Sequence, residues 1–260
     1  MQLTSALIAL GALVATDVNA ATLPFNPLAG GGSCSINAVA CKSSAPSNTC
    51  CLPTYGTVVF AQQWLPGYCQ GSPSTCEINN PAKIWTVHGA WPNTCAGKQI
   101  NSCPGMPQYS DVAGPLKSYD SGLVSKMNQY WVSYKGDNNA FWVHEWGKHG
   151  TCYSPAAKSC FSPFKTGQDI FQYFNWVLTL RTKFELGRAM SAAGISPGGT
   201  YSKAQIKAAI TDQYPDLQVA LKCTGGYLAE VYAALYATSS GGVAGAPLND
   251  NDTCGSSIKY

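Results

Sequence analysis

Histidine gives and takes protons near neutral pH because its ordinary pKa is about 6.5, and this chain of 260 residues has three of them. All three lie in two tryptophan-flanked stretches. These are Trp85-Thr86-Val87-His88-Gly89-Ala90-Trp91-Pro92 and Phe141-Trp142-Val143-His144-Glu145-Trp146-Gly147-Lys148-His149-Gly150-Thr151-Cys152. The second stretch reads as a helical segment. Residues four apart on a helix share a face, so Glu145 falls beside His149 and His144 beside Lys148. His144 and His149 diverge by roughly 140° at about 100° per residue, so the two rings do different jobs. A zinc-protease helix needs histidines four apart. Here the spacing is five, and activity is expected without a metal or any other cofactor.

Two imidazoles, one neutral and one protonated, suit a phosphodiester. In RNA the 2′-hydroxyl is an internal nucleophile that one imidazole can deprotonate while the other protonates the departing 5′-oxygen. Proximity is built into such a substrate, and DNA, lacking the hydroxyl, is excluded. Negative charge growing on the phosphoryl oxygens would be met by Lys148 and a protonated His144 as preorganised positive charge. Glu145 would orient an imidazole or, if protonated, donate to a phosphoryl oxygen.

The rest of the chain must position these groups. Residues 1–20 run from a polar start through the apolar stretch 6–14 to Val18-Asn19-Ala20, a small-x-small cleavage pattern. That reads as a secretory signal, since the apolar run is well short of the roughly 20 residues a membrane span needs. Its removal takes away Asp17 and no Lys or Arg, raising the formal charge from +3 by one. Charged residues make up 11% of the chain against about 25% in an ordinary soluble domain. This weakly basic balance tolerates a polyanion without announcing one. Twelve cysteines, an even number behind an export signal and without CxxC pairs, read as six disulfides and not as zinc ligands.

Residues 21–260 read as one domain. Leu116, Tyr119, Leu123, Met127 and Tyr130 recur at helical steps, and Ile170, Phe174, Val177 and Phe184 form a similar face in a helix predicted over 168–193, with Gly194 as its stop. A third helix starts at a capping box, Ser202 with Gln205, where Tyr201 can staple to Ile206. Strands are predicted at 56–64, 83–88 and 227–236. Loops are predicted at 30–33, 66–81, 93–115 and 239–257. Segregated helices and strands of this kind predict an α+β domain with a mostly antiparallel sheet. Trp85, Trp142 and Trp146 are expected to pack in the core. Asn251-Asp252-Thr253 is a glycosylation sequon in a loop.

Both histidine stretches resemble the two active-site segments of the ribonuclease T2 family, written WTxHGLWP and FWxHEWxKHGTC, and the spread of cysteines resembles the family's fungal branch. The likeness runs from Cys34 to the end and includes the adjacent Cys50 and Cys51. It implies a secreted, disulfide-rich monomer that cuts single-stranded RNA through a 2′,3′-cyclic phosphate to a 3′-phosphate with low base specificity. His88 and His149 would be the acid/base pair, with the order of their roles open. His144 would bind phosphate, and Glu145 and Lys148 would support the pentacovalent intermediate. Trp91 and Phe141 would meet bases. Asn93 stands where fungal relatives often have Asp, and the change from a carboxylate to an amide with both donor and acceptor implies an altered base ranking. Ala90, for the usual Leu, would remove bulk near His88. The implied disulfides are Cys34–Cys51, Cys41–Cys95, Cys50–Cys160, Cys103–Cys152 and Cys223–Cys254, leaving Cys69–Cys76 as an added bridge. A different outcome is a secreted RNA-binding or storage protein that keeps the fold without turnover. A toxin or defence role would use the same chemistry.

Overall fold

In the computed structural model of the protein, residues 34, 38–42 and 48–260 are described; the export signal read at 1–20 and the loop at 30–33 lie outside them. The elements in chain order are β1 (Thr57–Gln63), α1 (Leu65–Gly71), β2 (Thr86–Asn93), α2 (Ala113–Tyr119), α3 (Ser121–Tyr130), α4 (Asn138–Lys148), α5 (Gln168–Lys183), α6 (Leu186–Ala192), β3 (Thr200–Ser202), α7 (Lys203–Gln213), β4 (Gln218–Thr224), β5 (Tyr227–Thr238), β6 (Gly241–Val243) and β7 (Ser257–Lys259). One sheet runs β2-β1-β5-β7-β3, with β4 and β6 also paired to β5. Every pairing is antiparallel except a single β5–β7 contact. This is the expected α+β class.

Several expected boundaries move, each for a local reason. The stripe through residues 116–130 is two helices, because Asp120 leaves the helical region at φ −152° and its carboxylate accepts the Leu123 N–H at 2.8 Å, starting α3 afresh. Likewise 168–193 breaks at Phe184 (φ −114°, ψ 68°) and Glu185 (φ −83°, ψ 93°), which both leave the helical region, so α5 and α6 are separate. All of α1 but Leu65 falls in the loop expected at 66–81, α2 begins inside the one expected at 93–115, and that at 239–257 contains β6. The strand expected at 83–88 starts at Thr86 and runs on to Asn93. The capping box of α7 is formed by Ser202 and Gln205 as predicted.

Alternation sorts the sheet into two faces. Val58, Phe60 and Gln62 of β1 stand in rows with Pro92, Ala90 and Val87 of β2 and with Leu235, Ala233 and Val231 of β5. All are buried. The core continues through Ile170, Tyr173, Phe174, Val177 and Leu180 of α5. Tyr173 O–H donates to the Ala90 carbonyl at 2.9 Å and Gln62 Nε2 to the Phe184 carbonyl at 2.8 Å, fixing helix to sheet. Trp85, Trp142 and Trp146 are buried in that core, as expected. On the opposite face the rows are Val59 with Trp91 and Ala234, Ala61 with Gly89 and Tyr232, and Gln63 with Thr86 and Glu230. In the middle row β1 and β2 carry only Ala61 and Gly89, with Tyr232 of β5 beside them, which leaves room for longer side chains to meet above the two small residues.

Six disulfides join Cys34–Cys51, Cys41–Cys95, Cys50–Cys160, Cys69–Cys76, Cys103–Cys152 and Cys223–Cys254: the five pairs the resemblance implies and the added bridge expected between the remaining two cysteines. Cys152 follows His149 by three positions and Cys95 follows His88 by seven, so both histidine segments are covalently tied.

Candidate active site

His88 reaches the open face through an irregularity in β2. Pairing with β1 passes from Ala61↔Gly89 to Gln62↔Val87, so His88 is an extra residue with no cross-strand partner. Such a bulge bends the strand and re-aims its side chain. The imidazole turns toward β5, where Nδ1 meets Glu230 Oε1 at 2.6 Å. Tyr232 O–H donates to the other Glu230 oxygen at 2.9 Å. Behind the ring, Trp131 Nε1–H donates to the His88 carbonyl at 2.9 Å and holds the strand there.

The helix α4 supplies the other groups. Asp137 caps its start by accepting the Ala140 N–H at 2.9 Å. Trp142 and Trp146 anchor it, donating their indole N–H groups to the Trp131 and Pro107 carbonyls at 2.9 and 2.8 Å. Glu145, 1% exposed, then projects onto the sheet face. Its Oε2 accepts the Trp91 Nε1–H at 3.1 Å. Its Oε1 lies 3.7 Å from His88 Nε2 and 4.0 Å from His144 Nε2, without a hydrogen-bond partner. Gly89 makes this approach possible, since a Cβ there would overlap Glu145 Oε2 and Trp91 Nε1. Gly89→Ala is therefore expected to cost about 1–3 kcal/mol of stability and to displace Glu145. Thermal melting together with turnover of RNA checks this, and an unchanged melting temperature would refute the close approach.

His149 stands just past the helix. Its N–H still donates to the Glu145 carbonyl at 3.0 Å, but φ −120° and ψ −44° take the chain out of the α-helix. The spot is clamped. Ser102 N–H donates to the Lys148 carbonyl at 2.8 Å, Cys103 N–H to Thr151 Oγ1 at 3.1 Å, and the Cys103–Cys152 bridge closes the pair. The His149 ring lies under the Trp91 indole, centroids 5.2 Å apart and planes 28° apart. His88 meets the same indole edge-on at 5.1 Å. Thus the two imidazoles flank one tryptophan, with Glu145 bonded to it.

Burial and neighbouring charge set the proton affinities. His149 is pushed down to about 3, chiefly by burial and then by the positive charges of Lys148, His88 and His144. Burial also acts against a charged His88, but the Glu230 hydrogen bond and the charges of Glu230 and Glu145 outweigh it and raise the pKa above 6.5. Burial lifts Glu145 to about 7 against the pull of His88, the Trp91 N–H and Lys148. His144, exposed, is lowered by partial desolvation, then by Lys148 and His88. At mildly acidic pH the cluster therefore holds a charged His88, a neutral His149 and a protonated Glu145.

Around these groups lie the remaining residues singled out above. The Phe141 ring is 5.6 Å from His88. Asn93, at the end of β2 and on the same side as Trp91, is 7% exposed with an unpaired Oδ1. It borders a cavity of about 100 Å³ lined also by Trp91, Gln99, Asn249 and Asp250. Among the described residues no group of three or more His, Cys, Asp or Glu is arranged to hold a metal ion, and no helix is long and apolar enough to cross a membrane.

The sequence profile of the ribonuclease T2 family matches residues 55–244, which contain every one of these site residues except Asn249 and Asp250. The chain belongs to the ribonuclease T2 family. Ribonuclease Rh of Rhizopus niveus is 40% identical over 218 residues, 83% of this chain and 85% of its own. Among solved structures, Actibind, a T2 ribonuclease, superposes with a TM-score of 0.75 at 27% identity over 88% of this chain and 97% of its own. RNase NT in complex with 5′-AMP does so with a TM-score of 0.60 at 27% identity, over 79% and 98%. The enzyme is a T2-type endoribonuclease.

Two features of this T2 ribonuclease escape a reading of the sequence. Glu230 and Tyr232, in contact with the His88 side of the site, are not marked by any motif. Their one signal is a lone carboxylate in the otherwise uncharged strand Tyr227–Thr238. Ala90, expected to relieve bulk near His88, instead pairs with Phe60 on the buried face, fully enclosed. Its small side chain therefore bears on core packing and not on the space around the imidazole.

Proposed function

We propose that this T2 ribonuclease is a secreted, metal-independent enzyme that cuts single-stranded RNA with low base specificity, forming 2′,3′-cyclic phosphate ends and then 3′-phosphates. Neutral His149 takes the proton of the 2′-hydroxyl as its oxygen bonds to phosphorus. Charged His88 gives its Nε2 proton to the 5′-oxygen as the P–O5′ bond breaks. In the second step the roles reverse, with water attacking the cyclic ester. The unpaired His149 Nδ1 supports the basic role, and the ion pair on His88 supports the acidic one.

Glu145 faces the phosphoryl group. Because Oε2 already accepts from Trp91, a proton on this carboxyl sits on Oε1, aimed between His88 and His144. There it can donate to a phosphoryl oxygen, beside the positive charge of Lys148 and that of His144 whenever its ring is protonated. Trp91 offers an indole face to one base and Phe141 a ring to the other, and such stacking tolerates any base. Asn93 holds a buried, unpaired Oδ1 at the cavity beside Trp91, and turning the indole aside would open it as an acceptor for a base amino group. Since Trp91 covers His149, which is 2% exposed, substrate must turn the indole aside. The indole then stacks on the base in place of the imidazole, and the exposed His149 regains a pKa nearer its ordinary value.

The observation that carries this reading is the placing of both imidazoles about one indole, at 5.1 and 5.2 Å, with the Glu145 carboxyl beside them. Secretion is supported by the signal-like residues 1–20 and by six disulfides, which persist in oxidising compartments. Asn251 is exposed and free to carry a glycan. The rate is expected to fall on both sides of a maximum: as pH rises through the raised pKa of His88, which then loses its proton, and as pH falls through that of His149, which then gains one. The test is incubation of the purified protein with RNA and with DNA in a chelator. RNA should pass through cyclic phosphate to 3′-phosphate ends while DNA survives; intact RNA, or RNA cut only after a metal is added, would overturn the proposal.

A further inference from the structure

We propose that Glu230, braced by Tyr232, is a positioning residue for the acid step: it holds His88 by Nδ1 so that the ring stays charged and presents Nε2 to the leaving oxygen. The inference rests on the acid role given to His88 above and adds to it two residues that touch neither substrate nor the reacting atoms.

The geometry is that of a carboxylate orienting an imidazole. Glu230 Oε1 is 2.6 Å from His88 Nδ1, short enough for a charge-assisted bond. The second oxygen is occupied by the Tyr232 hydroxyl at 2.9 Å, so Glu230 has one oxygen left and one direction in which to offer it. With Nδ1–H engaged, the mobile proton is confined to Nε2, which faces Glu145 Oε1 at 3.7 Å and the solvent side of the site. When Nε2 gives its proton to the 5′-oxygen, the ring becomes neutral with Nδ1–H still bonded, and Glu230 remains a carboxylate throughout. No proton passes along the chain of bonds. The carboxylate stabilises the imidazolium and returns the ring to the correct tautomer for the second step, in which Nε2 accepts a proton from water.

Placement makes this arrangement specific. Glu230 and Tyr232 are two apart on β5 and so share the open face, flanking β1 across from β2. Ala61 between them and His88 is too small to intervene, and the bulge at His88 brings its ring across β1. Glu230 keeps 18% side-chain exposure in a strand with no other charged residue. A partly buried carboxylate carries a desolvation cost that a neutral residue would avoid, which points to a need for its charge. The groups facing this pair come from several elements. They are Glu145, His144 and Lys148 of α4, His149 beyond it, Lys222 of β4 with its ammonium 4.9 Å from the Tyr232 ring centroid, Asp250, which pairs with that ammonium at 2.6 Å and faces Tyr232, and Tyr134 after α3. Of the two carboxylates, only Glu230 is hydrogen-bonded to His88.

The test uses Glu230→Gln, Glu230→Asp and Tyr232→Phe in the full protein, each checked for folding by circular dichroism. Gln can still accept from Nδ1–H, so the shape survives and the charge does not. Glu230→Gln is expected to lower kcat by about 10- to 100-fold with KM within about threefold, and to move the basic limb of the kcat profile down by about one pH unit. Glu230→Asp should recover part of both, and Tyr232→Phe should shift the limb in the same direction by less. In the unmodified protein, ¹⁵N NMR of the imidazoles should show His88 protonated at Nδ1 in both of its states and titrating above about 6.5. That measurement stands even where Glu230→Gln does not fold. An unchanged basic limb in a folded Glu230→Gln, a loss of melting temperature with the pH profile intact, or a His88 that titrates at or below the ordinary value would each overturn the inference. All three leave the RNA-cleavage reading standing; that reading fails separately, if the unmodified enzyme leaves RNA intact.

Discussion

Alanine at either His88 or His149 is expected to lower kcat for RNA cleavage by about 10²- to 10⁴-fold, the contribution of one positioned acid or base, with KM changed little. The double variant should be hardly worse than either single one, because two groups that serve one proton transfer in and one out act as a unit. The two losses are distinguishable by leaving group. A nucleoside 3′-phosphate ester of 4-nitrophenol departs without protonation, so the variant lacking the acid, His88→Ala, should recover most of its rate on that substrate. His149→Ala, lacking the base, should not. Either variant keeping full activity on RNA would remove its histidine from the chemistry. Rescue of His149→Ala in place of His88→Ala would exchange the two roles. Stability should respond differently too, since His88→Ala leaves Glu230 without its imidazole partner, whereas His149→Ala opens a hole beneath Trp91.

How far the sequence foretells this site depends on how each contact is encoded. The helix that carries His144, Glu145 and Lys148 is legible from local spacing, but the expected pairing of Glu145 with His149 is not what forms: His149 leaves the helix at φ −120°, and the Glu145 carboxyl lies instead beside Trp91, His88 and His144. Also legible is α7, whose capping box is a local signal. The contact of His88 with Glu230 joins residues 142 positions apart. It depends on strand order, on register and on one extra residue in β2, none of which periodicity expresses. Ala90 is misplaced for the same reason: whether a residue beside His88 shares its face depends on the bulge. Apolar stripes mislead at Asp120 and Glu185, because the stripe continues across a cap while the backbone does not. At Asp120 the capping carboxylate is visible in the sequence, but the periodicity runs through it.

Glu145 offers a test in which stability and catalysis move in opposite directions. Its carboxyl is buried and raised from 4.5 to about 7, so the folded state binds this proton more tightly than the unfolded chain does. The stabilisation is present below about pH 4.5 and is lost as pH rises through about 7, above which the fold carries a buried anion. Glu145→Gln removes that cost while its carbonyl still accepts the Trp91 N–H. We expect it to exceed the unmodified protein by about 1–3 kcal/mol at pH 8, with the advantage gone by pH 4, as read by urea denaturation at the two pH values. Catalysis then separates the two jobs Glu145 could do. As a protonated donor to the phosphoryl group, it is imitated by the amide, whose N–H₂ takes the place of Oε1. Glu145→Gln should then retain turnover within about tenfold at pH 5, while Glu145→Ala loses about 10²- to 10³-fold, the effect of removing one donor to a developing oxyanion. Should Gln prove as inactive as Ala while more stable at pH 8, the negative charge and not the proton is what the reaction needs, and Glu145 acts through the two imidazoles whose Nε2 atoms lie 3.7 and 4.0 Å from its Oε1.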